Sequence, residues 1–375
     1  MAKKIGILTF HFPINYGAVL QTFALSKACE LMGGDVEVIN YFSTDQERAN
    51  SIFFDKRRGW LKSLLYVLMV LPHWQELRRK KHRFREFIKN HIKISARFKT
   101  LGELKQGLAP KDIYLTGSDQ VFNPVSDRNI KVYYQSFHDK RMGIKAAYAP
   151  SFGISLFSED LTKKIKPLLG DFAYLSCRED DGAAYISRLV GKSIQTVLDP
   201  VFLLSASEWI KCLDAELPVN HHKEKYILVY DLNGRDNLIS MAKKMKLVCN
   251  LPIICLTTKK YNVWRYRVDE IIMDAGPLEF ISLIRDADTV VTDSFHGTAF
   301  SIIFNKKFVT YNALPRASMR ITSILNKLNL QNHFVEDINV SSDELCSIRE
   351  IDNSYQGELD ILVRISKDYL FKCLK

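Results

Sequence analysis

Short apolar runs alternate with stretches of helical spacing along most of the chain. Residues 4–10 form an apolar run of strand length, and apolar side chains recur at helical spacing over residues 18–31. Gly33 and Gly34 end that helix, and residues 36–41 form the next strand. This strand–helix–strand pattern predicts the start of a parallel, doubly wound sheet.

The same alternation predicts further strands in two groups. The first group falls at residues 112–116, 145–149, 172–177 and 196–198, and the second at residues 226–230, 252–256, 289–292 and 307–311. Helical patterns separate these strands, near residues 159–169, 237–246, 278–285 and 297–304.

A polar, proline-containing stretch at residues 216–225 separates the two groups and indicates a domain boundary. The sequence therefore predicts an α/β fold with two doubly wound Rossmann-like domains facing a cleft, in a glycosyltransferase B-like arrangement. We expect residues 1–205 to form the N-terminal domain and residues 225–345 the C-terminal domain. Residues 346–375 contain a terminal helix that we expect to pack back on the first domain.

The composition is that of an ordinary globular protein, but the positive charge is concentrated in one segment. The chain has 375 residues and a formal net charge of +11. Residues 56–99 contain 14 Lys and Arg against two Glu, whereas the rest of the chain contains 39 basic and 40 acidic residues. The excess charge therefore belongs to a basic helical insertion at about residues 50–100, which we assign to the first domain.

Three interpretations of this insertion remain open. A basic helix could lie in solvent beside a buried helix. Alternatively, residues 56–99 could contact an anionic membrane surface, with Trp60, Trp74 and the apolar run at residues 64–71 at the interface. Nucleic-acid binding is the weakest interpretation, because no known nucleic-acid module is visible, and we predict no nucleic-acid partner.

The cysteines and the N-terminus indicate an intracellular protein. The seven cysteines form no CxxC pair and have no metal-ligand spacing, so we expect small buried side chains in a reducing cytoplasm and no structural zinc. The N-terminal apolar run is too short for a signal peptide, and no segment approaches the roughly 20 apolar residues of a spanning helix. We expect a cytoplasmic location, with the basic insertion as the candidate for peripheral contact with the inner face of the membrane.

Polar residues follow two strands of the first domain, where α/β sheets bind ligands. After the first strand come His11 and then Asn15-Tyr16-Gly17, beside a helix N-terminus that favours an anion. After the strand at residues 112–116 comes Gly117-Ser118-Asp119-Gln120, which could form a hydrogen-bonding rim for a sugar or a phosphate. Helix capping by Asn15, Ser118 or Asp119 is the structural alternative.

Two further positions carry charged or titratable groups. Arg178 lies at the start of a helix, where the dipole repels a cation, so a bound carboxylate or phosphate would explain it. Pairing with Asp180 or Asp181 is the alternative. His296 follows Ser294 at a strand-to-helix turn and precedes Gly297, a position suited to a group that donates a proton near neutral pH. A structural histidine bonded to backbone is the alternative there.

Taken in order, these motifs resemble the polysaccharide pyruvyl transferase family. The matching segments are KIGILTFHFPINYGAVLQTFAL, YLTGSDQVFNP, AAYAPSFG, LSCREDDG, VLDPVFLL and DTVVTDSFHGTAFSIIFNKKFVTY, followed by Arg320. The resemblance covers almost the whole chain except the basic insertion. It implies transfer of a pyruvyl group from phosphoenolpyruvate onto sugar hydroxyls of a cell-surface glycan or its lipid-linked precursor.

The resemblance also implies roles for residues. His296 matches a proposed general acid, and Arg178 matches an arginine that contacts the donor. The C-terminal domain is then the donor side, and the donor-binding set is Arg178, from the first domain, with Ser294, Phe295, His296, Gly297 and Arg320. The N-terminal, acceptor side supplies acceptor-binding or anion-binding residues, namely Asn15, Tyr16, Gly17, Gly117, Ser118, Asp119 and Gln120.

One position departs from the family. Many members have Arg two residues before the histidine, whereas this chain has Ser294, so either a donor-binding charge is missing or Arg320, Arg265 or Arg267 supplies it. No cofactor is implied beyond phosphoenolpyruvate as donor substrate. No carboxylate pair has clear metal spacing, although Asp119 and Asp293 could recruit Mg²⁺. A nucleotide-sugar glycosyltransferase and a catalytically inactive glycan-binding relative are the alternative functions.

Overall fold

The computed structural model describes residues 2–49, 60–123, 130–139, 142–153, 158–213, 216–218, 224–311, 315–348 and 354–375. The basic run at residues 56–58 lies outside them, as does the side chain of Trp60. The chain divides into two compact units, and each unit is an α/β structure built on a parallel sheet.

The elements before residue 204 alternate between strands and helices. In chain order they are β1 (Lys4–Leu8), α1 (Tyr16–Leu31), β2 (Asp35–Val38), α2 (Thr44–Ala49), α3 (Trp60–Val70), α4 (Trp74–His91), α5 (Leu101–Gly107), β3 (Ile113–Thr116), α6 (Ile130–Tyr133), β4 (Ile144–Ala147), α7 (Glu159–Leu169), β5 (Ser176–Cys177), α8 (Asp180–Val190) and β6 (Gln195–Thr196). Turns of 3₁₀ helix lie at Leu71–His73 and Pro200–Leu203.

The elements after residue 204 continue this alternation. They are α9 (Ala206–Leu213), β7 (Ile227–Asp231), α10 (Asp236–Cys249), β8 (Ile253–Thr257), β9 (Glu270–Ile272), α11 (Pro277–Asp286), β10 (Thr289–Thr292), α12 (Phe295–Ile303), β11 (Lys307–Tyr311), α13 (Pro315–Lys327), β12 (Phe334–Val335), α14 (Ser342–Ile348) and α15 (Tyr355–Leu374). Turns of 3₁₀ helix lie at Val263–Tyr266 and Gln331–His333.

The sheet of the first unit has the strand order β2-β1-β3-β4, with every pair parallel. Its strands are buried on both faces, as the apolar run Ile5–Leu8 requires, because helices cover both sides of a parallel sheet. β2 lies on one side of β1 and the later strands lie on the other. The strand order therefore reverses between β1 and β3, and their carboxyl ends meet at Leu8 and Thr116.

The sheet of the second unit has the strand order β12-β11-β10-β7-β8-β9, again with every pair parallel. The chain enters at the centre, builds outward through β8 and β9, and returns to build the other side from β10. If β7 to β12 are renumbered 1 to 6 and the sheet is read from the β9 edge, the strand order is 3-2-1-4-5-6. This is the order of dinucleotide-binding Rossmann sheets. The order reverses between β7 and β10, where Tyr230 lies opposite Thr292.

The division of the chain differs from the prediction at the basic insertion. The first unit consists of residues 1–50, 88–204 and 359–375, and the second of residues 51–87 and 205–358. Residues 51–87, assigned from the sequence to the first domain, thus belong to the second unit. Val70 and Leu77 pack there against Val263 and Met273.

Two smaller features complete the description. Four cysteines are buried and two are half-buried, whereas the side chain of Cys346 lies outside the described residues. Within the described ranges, the helices are all too short or too polar to cross a lipid bilayer.

Candidate functional site

The carboxyl edge of the second sheet is held together by two buried aspartates at the reversal point. Asp231 ends β7 and accepts hydrogen bonds from the Gly234 backbone N–H (2.7 Å), the Thr257 hydroxyl (2.8 Å) and the Tyr266 hydroxyl (2.5 Å). Asp293 follows β10 and accepts from the Leu232 backbone N–H at 2.9 Å. These bonds fix the loop after β7 to the turn after β10.

Opposing effects act on the carboxylate of Asp293. Burial raises its pKa, and the negative charge of Asp231 adds to that rise. Hydrogen bonds from the Leu232 backbone and from Asn233 Nδ2 (2.6 Å) oppose it, because they favour the charged form. Its oxygens are therefore engaged by protein groups, which makes Asp293 a structural support for the turn.

The turn after β10 leads directly into α12. Ser294 is the N-cap, and its hydroxyl accepts from the Gly297 backbone N–H at 3.4 Å. The Ser294 backbone N–H donates to Thr292 Oγ1 at 3.1 Å. Where the family often has Arg, this chain thus has a capping residue.

His296 lies in the first turn of α12, beyond the carboxyl end of β10. His296 is 8% exposed, and its ring meets the Phe295 ring edge-on, with 5.1 Å between the ring centroids. The first turn of a helix presents unpaired backbone N–H groups and the positive end of the dipole, which together favour an anion. His296 therefore lies where an anionic ligand of this sheet would be expected to bind.

The three arginines considered as donor ligands differ in their surroundings. Arg320 is half-buried on α13. Arg265 and Arg267 are exposed, and the Arg265 guanidinium lies 5.5 Å from the centre of the Trp264 ring.

In the first unit, a buried glutamine connects the two loops at the reversal point. Gln21 lies on α1 and its Nε2 donates to Thr9 Oγ1 at 2.9 Å, while its Oε1 accepts from the Ser118 backbone N–H at 3.1 Å. The Thr9 hydroxyl donates to the Ser118 carbonyl at 3.2 Å. The sequence analysis missed Gln21, although a polar side chain within the apolar stretch VLQTFAL was a signal for it.

Most of the site residues predicted after β1 are buried or cap a helix. Asn15 caps α1 by accepting from the Ala18 backbone N–H at 3.1 Å, and Tyr16 and Gly17 are buried in the first turn. His11 is buried, with its ring bonded to the Thr9 carbonyl (3.2 Å) and to Asn40 Oδ1 (3.1 Å). Burial lowers the pKa of His11, and its hydrogen bonds to Asn40 and Thr9 oppose that shift.

Half-buried aromatic rings surround this same end of the sheet. The rings of Phe12 and Phe42 lie 4.1 Å apart between centroids, and Phe10 meets Tyr133 at 4.9 Å. Phe10, Phe12 and Phe42 keep part of their surface in solvent. Partly open rings beside polar groups are typical of a site for a small polar ligand with apolar faces.

The loop after β3 divides into buried and accessible residues. Gly117 has a φ of +132°, and a Cβ there would come within 1.9 Å of the Tyr148 carbonyl oxygen, so only glycine fits. Ser118 is fully buried, and its hydroxyl donates to the Ala149 carbonyl at 2.8 Å. Asp119 and Gln120 are half-buried, so they are the side chains of this loop that a ligand could reach.

Arg178 is buried and paired with two acidic side chains. Its Nη1 lies 2.6 Å from Asp199 Oδ2, and its Nε lies 3.1 Å from Glu179 Oε1. Burial opposes the charge, yet Glu179 and Asp199 outweigh it and raise the pKa of Arg178. The chain folds Asp199, 21 positions later in sequence, against the guanidinium, a partner that the sequence did not indicate.

A metal site is not formed by the residues that the structure describes, since no three His, Cys, Asp or Glu side chains converge among them. Neither Asp119 nor Asp293, which the sequence suggested for Mg²⁺, belongs to such a group there. Asp293 is already bonded to Leu232 and Asn233.

Several solved structures are similar to the chain at low sequence identity. The crystal structure of UDP-GlcNAc 2-epimerase from Neisseria meningitidis bound to UDP-GlcNAc matches with 8% identity and a TM-score of 0.51, covering 99% of this chain and 100% of that one. A putative UDP-N-acetylglucosamine 2-epimerase from Listeria monocytogenes matches with 10% identity and a TM-score of 0.49, covering 99% and 91%. Arabidopsis thaliana UGT89C1 matches with 10% identity and a TM-score of 0.47, covering 99% and 98%.

At this identity, the Neisseria match shows a shared fold and nothing about activity. Together with the two parallel sheets, it confirms the predicted glycosyltransferase B-like α/β class. No curated protein matches the chain significantly. The family model for polysaccharide pyruvyl transferase, however, matches residues 15–313, most of the chain. The chain therefore belongs to the polysaccharide pyruvyl transferase family.

Proposed function

We propose that this protein transfers a pyruvyl group from phosphoenolpyruvate onto sugar hydroxyls of a cell-surface polysaccharide or of its lipid-linked precursor. Family membership supports a transferase that acts in polysaccharide biosynthesis. The observation that carries the finer proposal is the position of His296 in the first turn of α12, at the reversal point of a Rossmann-ordered sheet. There, a proton donor and a helix N-terminus lie together.

The reaction needs both features. As imidazolium, His296 would protonate the methylene carbon of phosphoenolpyruvate, which converts it to a methyl group and leaves C2 electron-poor. A sugar hydroxyl attacks C2 and gives up its proton, and the C2–O bond to phosphate then breaks. A second hydroxyl attacks C2 and closes the cyclic ketal. One hydroxyl proton thus replaces the proton given to carbon, and the other leaves with phosphate.

The helix N-terminus would bind the anionic end of the donor. The first-turn N–H groups of α12 and the dipole can stabilise a phosphate or carboxylate without a cationic side chain. This accounts for a capping serine at position 294, where many relatives have Arg. Ser294, Phe295, Gly297 and Arg320 remain the candidates for donor contact in this unit.

Arg178 remains a candidate for holding a carboxylate or phosphate at the first sheet. Asp199 and Glu179 hold its guanidinium in place, but their negative charges also offset its positive charge. A guanidinium whose positive charge is offset by two carboxylates attracts an anion less strongly, so the proposal rests more on His296 than on Arg178.

The first unit supports binding of a sugar acceptor. The half-buried rings of Phe10, Phe12 and Phe42 offer surfaces for the apolar faces of a pyranose. Asp119 and Gln120 lie in the loop after the neighbouring strand and can bond its hydroxyls. Asn15, Tyr16, Gly17, Gly117 and Ser118 would then shape these loops, because their polar groups are engaged or buried.

The test is phosphate release from phosphoenolpyruvate across a panel of free and lipid-linked hexoses. Wild type should release phosphate only with a suitable acceptor, and His296→Ala should lower that rate by about 10²–10⁴-fold, as expected for loss of a general acid. His138→Ala is the matched control, since His138 bonds the Gly143 carbonyl at the amino end of β4. A His296→Ala protein that keeps its activity and its melting temperature would sink the proposal.

Nucleotide-sugar glycosyl transfer is the second candidate. The Rossmann strand order and the likeness in fold to an epimerase solved with UDP-GlcNAc favour it. A rise in melting temperature with a nucleotide sugar, and none with phosphoenolpyruvate, would select this function. No shift with either donor, but a shift with glycan, would select an inactive glycan-binding relative.

A further inference from the structure

A row of large apolar side chains lies exposed on α3 and just after it. Leu64, Leu65, Leu68, Met69, Leu71 and Trp74 are each between 37% and 57% exposed, and we name them the apolar ridge. Positions 64, 68 and 71 are about one helical turn apart, so they share one side of the helix. An ordinary surface helix has polar residues on that side.

The opposite side of α3 is already packed. Val70 is buried against Leu77, Val263 and Met273, and Tyr66 packs onto the same cluster. The Tyr66 ring also meets the Tyr261 ring edge-on at 5.9 Å. The helix is therefore fixed in place, and its outer apolar side is left without a cover within the second unit's described residues. A contiguous apolar patch of this kind marks an interaction surface.

A row of cations continues from the ridge along α4. Trp74, Arg78, Lys81 and Arg85 follow one another at spacings of four, three and four, which puts them on one face of the helix. These side chains line one open depression, and the Arg78 guanidinium lies 5.5 Å from the centre of the Trp74 ring. We name Arg78, Lys81 and Arg85 the cationic strip.

Several other residues of α4 are buried or form an ion pair within the protein. Leu77, Lys80, Phe84 and Phe87 are buried on the opposite face. Arg79 is bonded to Asp274 at 2.9 Å, so this cation is engaged in an internal ion pair. Neither Glu76 nor Glu86 falls on the row that carries the strip. Arg78 and Arg85, which are exposed, therefore present positive charge on an outward face.

From this juxtaposition we infer that the apolar ridge and the cationic strip dock the protein onto an anionic membrane surface. Leucine and methionine side chains can enter the boundary between headgroups and acyl chains, while Arg and Lys bind the phosphates. Trp74 joins the two parts, and tryptophan is enriched at that interface.

Charge complementarity distinguishes this occupant from two others. A symmetric dimer through the ridge would bring two cationic strips near each other, since a twofold interface uses the same surface twice. A nucleic acid would satisfy the strip but would leave the apolar ridge in water. An anionic bilayer can bind the cationic strip through lipid phosphates and cover the apolar ridge at the boundary with its acyl chains.

The experiment is sedimentation of the full chain with vesicles. Vesicles of equal parts phosphatidylcholine and phosphatidylglycerol should bind the protein at low salt, and vesicles of phosphatidylcholine alone should bind it weakly. High salt should weaken binding to the anionic vesicles, because ions screen the strip from the lipid phosphates.

Two variants test the two parts of the surface. Arg78→Glu together with Arg85→Glu should lower the partition coefficient by at least about tenfold, since each basic residue near such a surface contributes about fivefold. Leu68→Asp should have an effect of similar size. The matched controls are on α10, where Leu247→Asp changes an 83% exposed leucine and Lys243→Glu reverses an exposed charge. Both controls should bind as wild type does.

Several results would overturn the inference. One is wild type that stays in the supernatant with anionic vesicles at low salt. Another is a loss of binding in the α10 controls equal to that in the ridge and strip variants. A dimer seen by sedimentation velocity and lost in Leu68→Asp, without vesicle binding, would assign the surface to a second copy of the chain. The vesicle assay uses no phosphoenolpyruvate, so docking and pyruvyl transfer can fail separately.

Discussion

Gly297 occupies a position in which a side chain has no room. A Cβ there would come within 2.3 Å of Thr292 Oγ1 and 2.9 Å of Thr292 Cβ. The first turn of α12 therefore lies directly against the end of β10, and this contact sets the position of the neighbouring His296. The sequence showed a glycine after the histidine, but the reason for it lies in this approach of helix to strand.

Substitution of Gly297 should be destabilising. We expect Gly297→Ala to lower the free energy of unfolding by about 1–3 kcal/mol, because the new methyl group overlaps Thr292. Gly357→Ala, on α15, is the control: a Cβ at that position would have no neighbour within 4 Å, so alanine there should be neutral or slightly stabilising. Urea unfolding measures both. Equal effects of the two substitutions would show that Thr292 yields to the methyl group.

At the residue scale, the sequence predicted where the candidate site residues lie better than which residues they contact. Asn15, Ser118, Arg178 and His296 do follow the carboxyl ends of strands, because strand and helix periodicity determine where strands end. The partners of Arg178 could not be predicted, since Asp199 reaches it only once both loops have folded against β5. The contacts of Gln21 depend on tertiary structure in the same way.

Among the elements, α4 shows why helical pattern alone does not assign a helix to a domain. Its sequence gives the buried face, Leu77, Phe84 and Phe87, but a buried face does not identify what covers it. Both apolar and ionic contacts hold the first part of α4 within the second unit. Arg83 pairs with Asp274 at 3.4 Å and with Glu279 at 3.1 Å.

The apolar contacts of α4 should dominate its attachment. We expect Phe84→Ala to lower the free energy of unfolding by about 3–5 kcal/mol, as for other fully buried phenylalanines. Arg83→Ala should cost at most about 1 kcal/mol, because its ion pairs are partly exposed to solvent. Arg85→Ala, an exposed arginine of the same helix, is the control. An Arg83→Ala cost above that of Phe84→Ala would reverse this ranking.

Two short strands of the second sheet were not predicted from periodicity. β9 has three residues and β12 has two, so neither offers enough positions to show alternation. Both extend the second sheet at its edges, where pairing with β8 and β11 creates them.

For the molecule as a whole, two buried histidines should determine part of the acid sensitivity. His11 lies in the first unit and His333 in the second, and burial lowers the pKa of each below its ordinary value of 6.5. Below that pH the unfolded chain takes up protons that the folded chain does not. The free energy of unfolding should therefore fall as pH drops below about 6.5.

Urea unfolding between neutral and mildly acidic pH tests this. Each histidine contributes a slope of at most about 1.4 kcal/mol per pH unit, and His11→Asn and His333→Asn should each remove part of it. His82→Asn, at an exposed histidine of α4, is the control and should leave the slope unchanged. A slope that is the same in all four proteins would contradict the assignment.

At this largest scale, alternation along the chain predicted the fold class but not the membership of each unit. The two groups of strands appear in the sequence as two blocks, and the parallel sheets follow from them. Residues 359–375, expected to pack on the first domain, belong to the first unit, whereas residues 51–87, assigned to the first domain, belong to the second. Both memberships depend on contacts far apart in sequence. Tyr369, for example, donates to the carbonyl of Ala147 at 3.0 Å.

This interleaving has a consequence for synthesis on the ribosome. Residues 359–375 are translated after all of residues 205–358, so the first unit lacks its last helix until the second unit's sequence has been made. Translation takes about 0.05–0.2 s per residue, which leaves the first unit incomplete for seconds. The unit that begins the chain is thus the last to be finished, and the Ala147 carbonyl waits until then for its hydrogen bond from Tyr369.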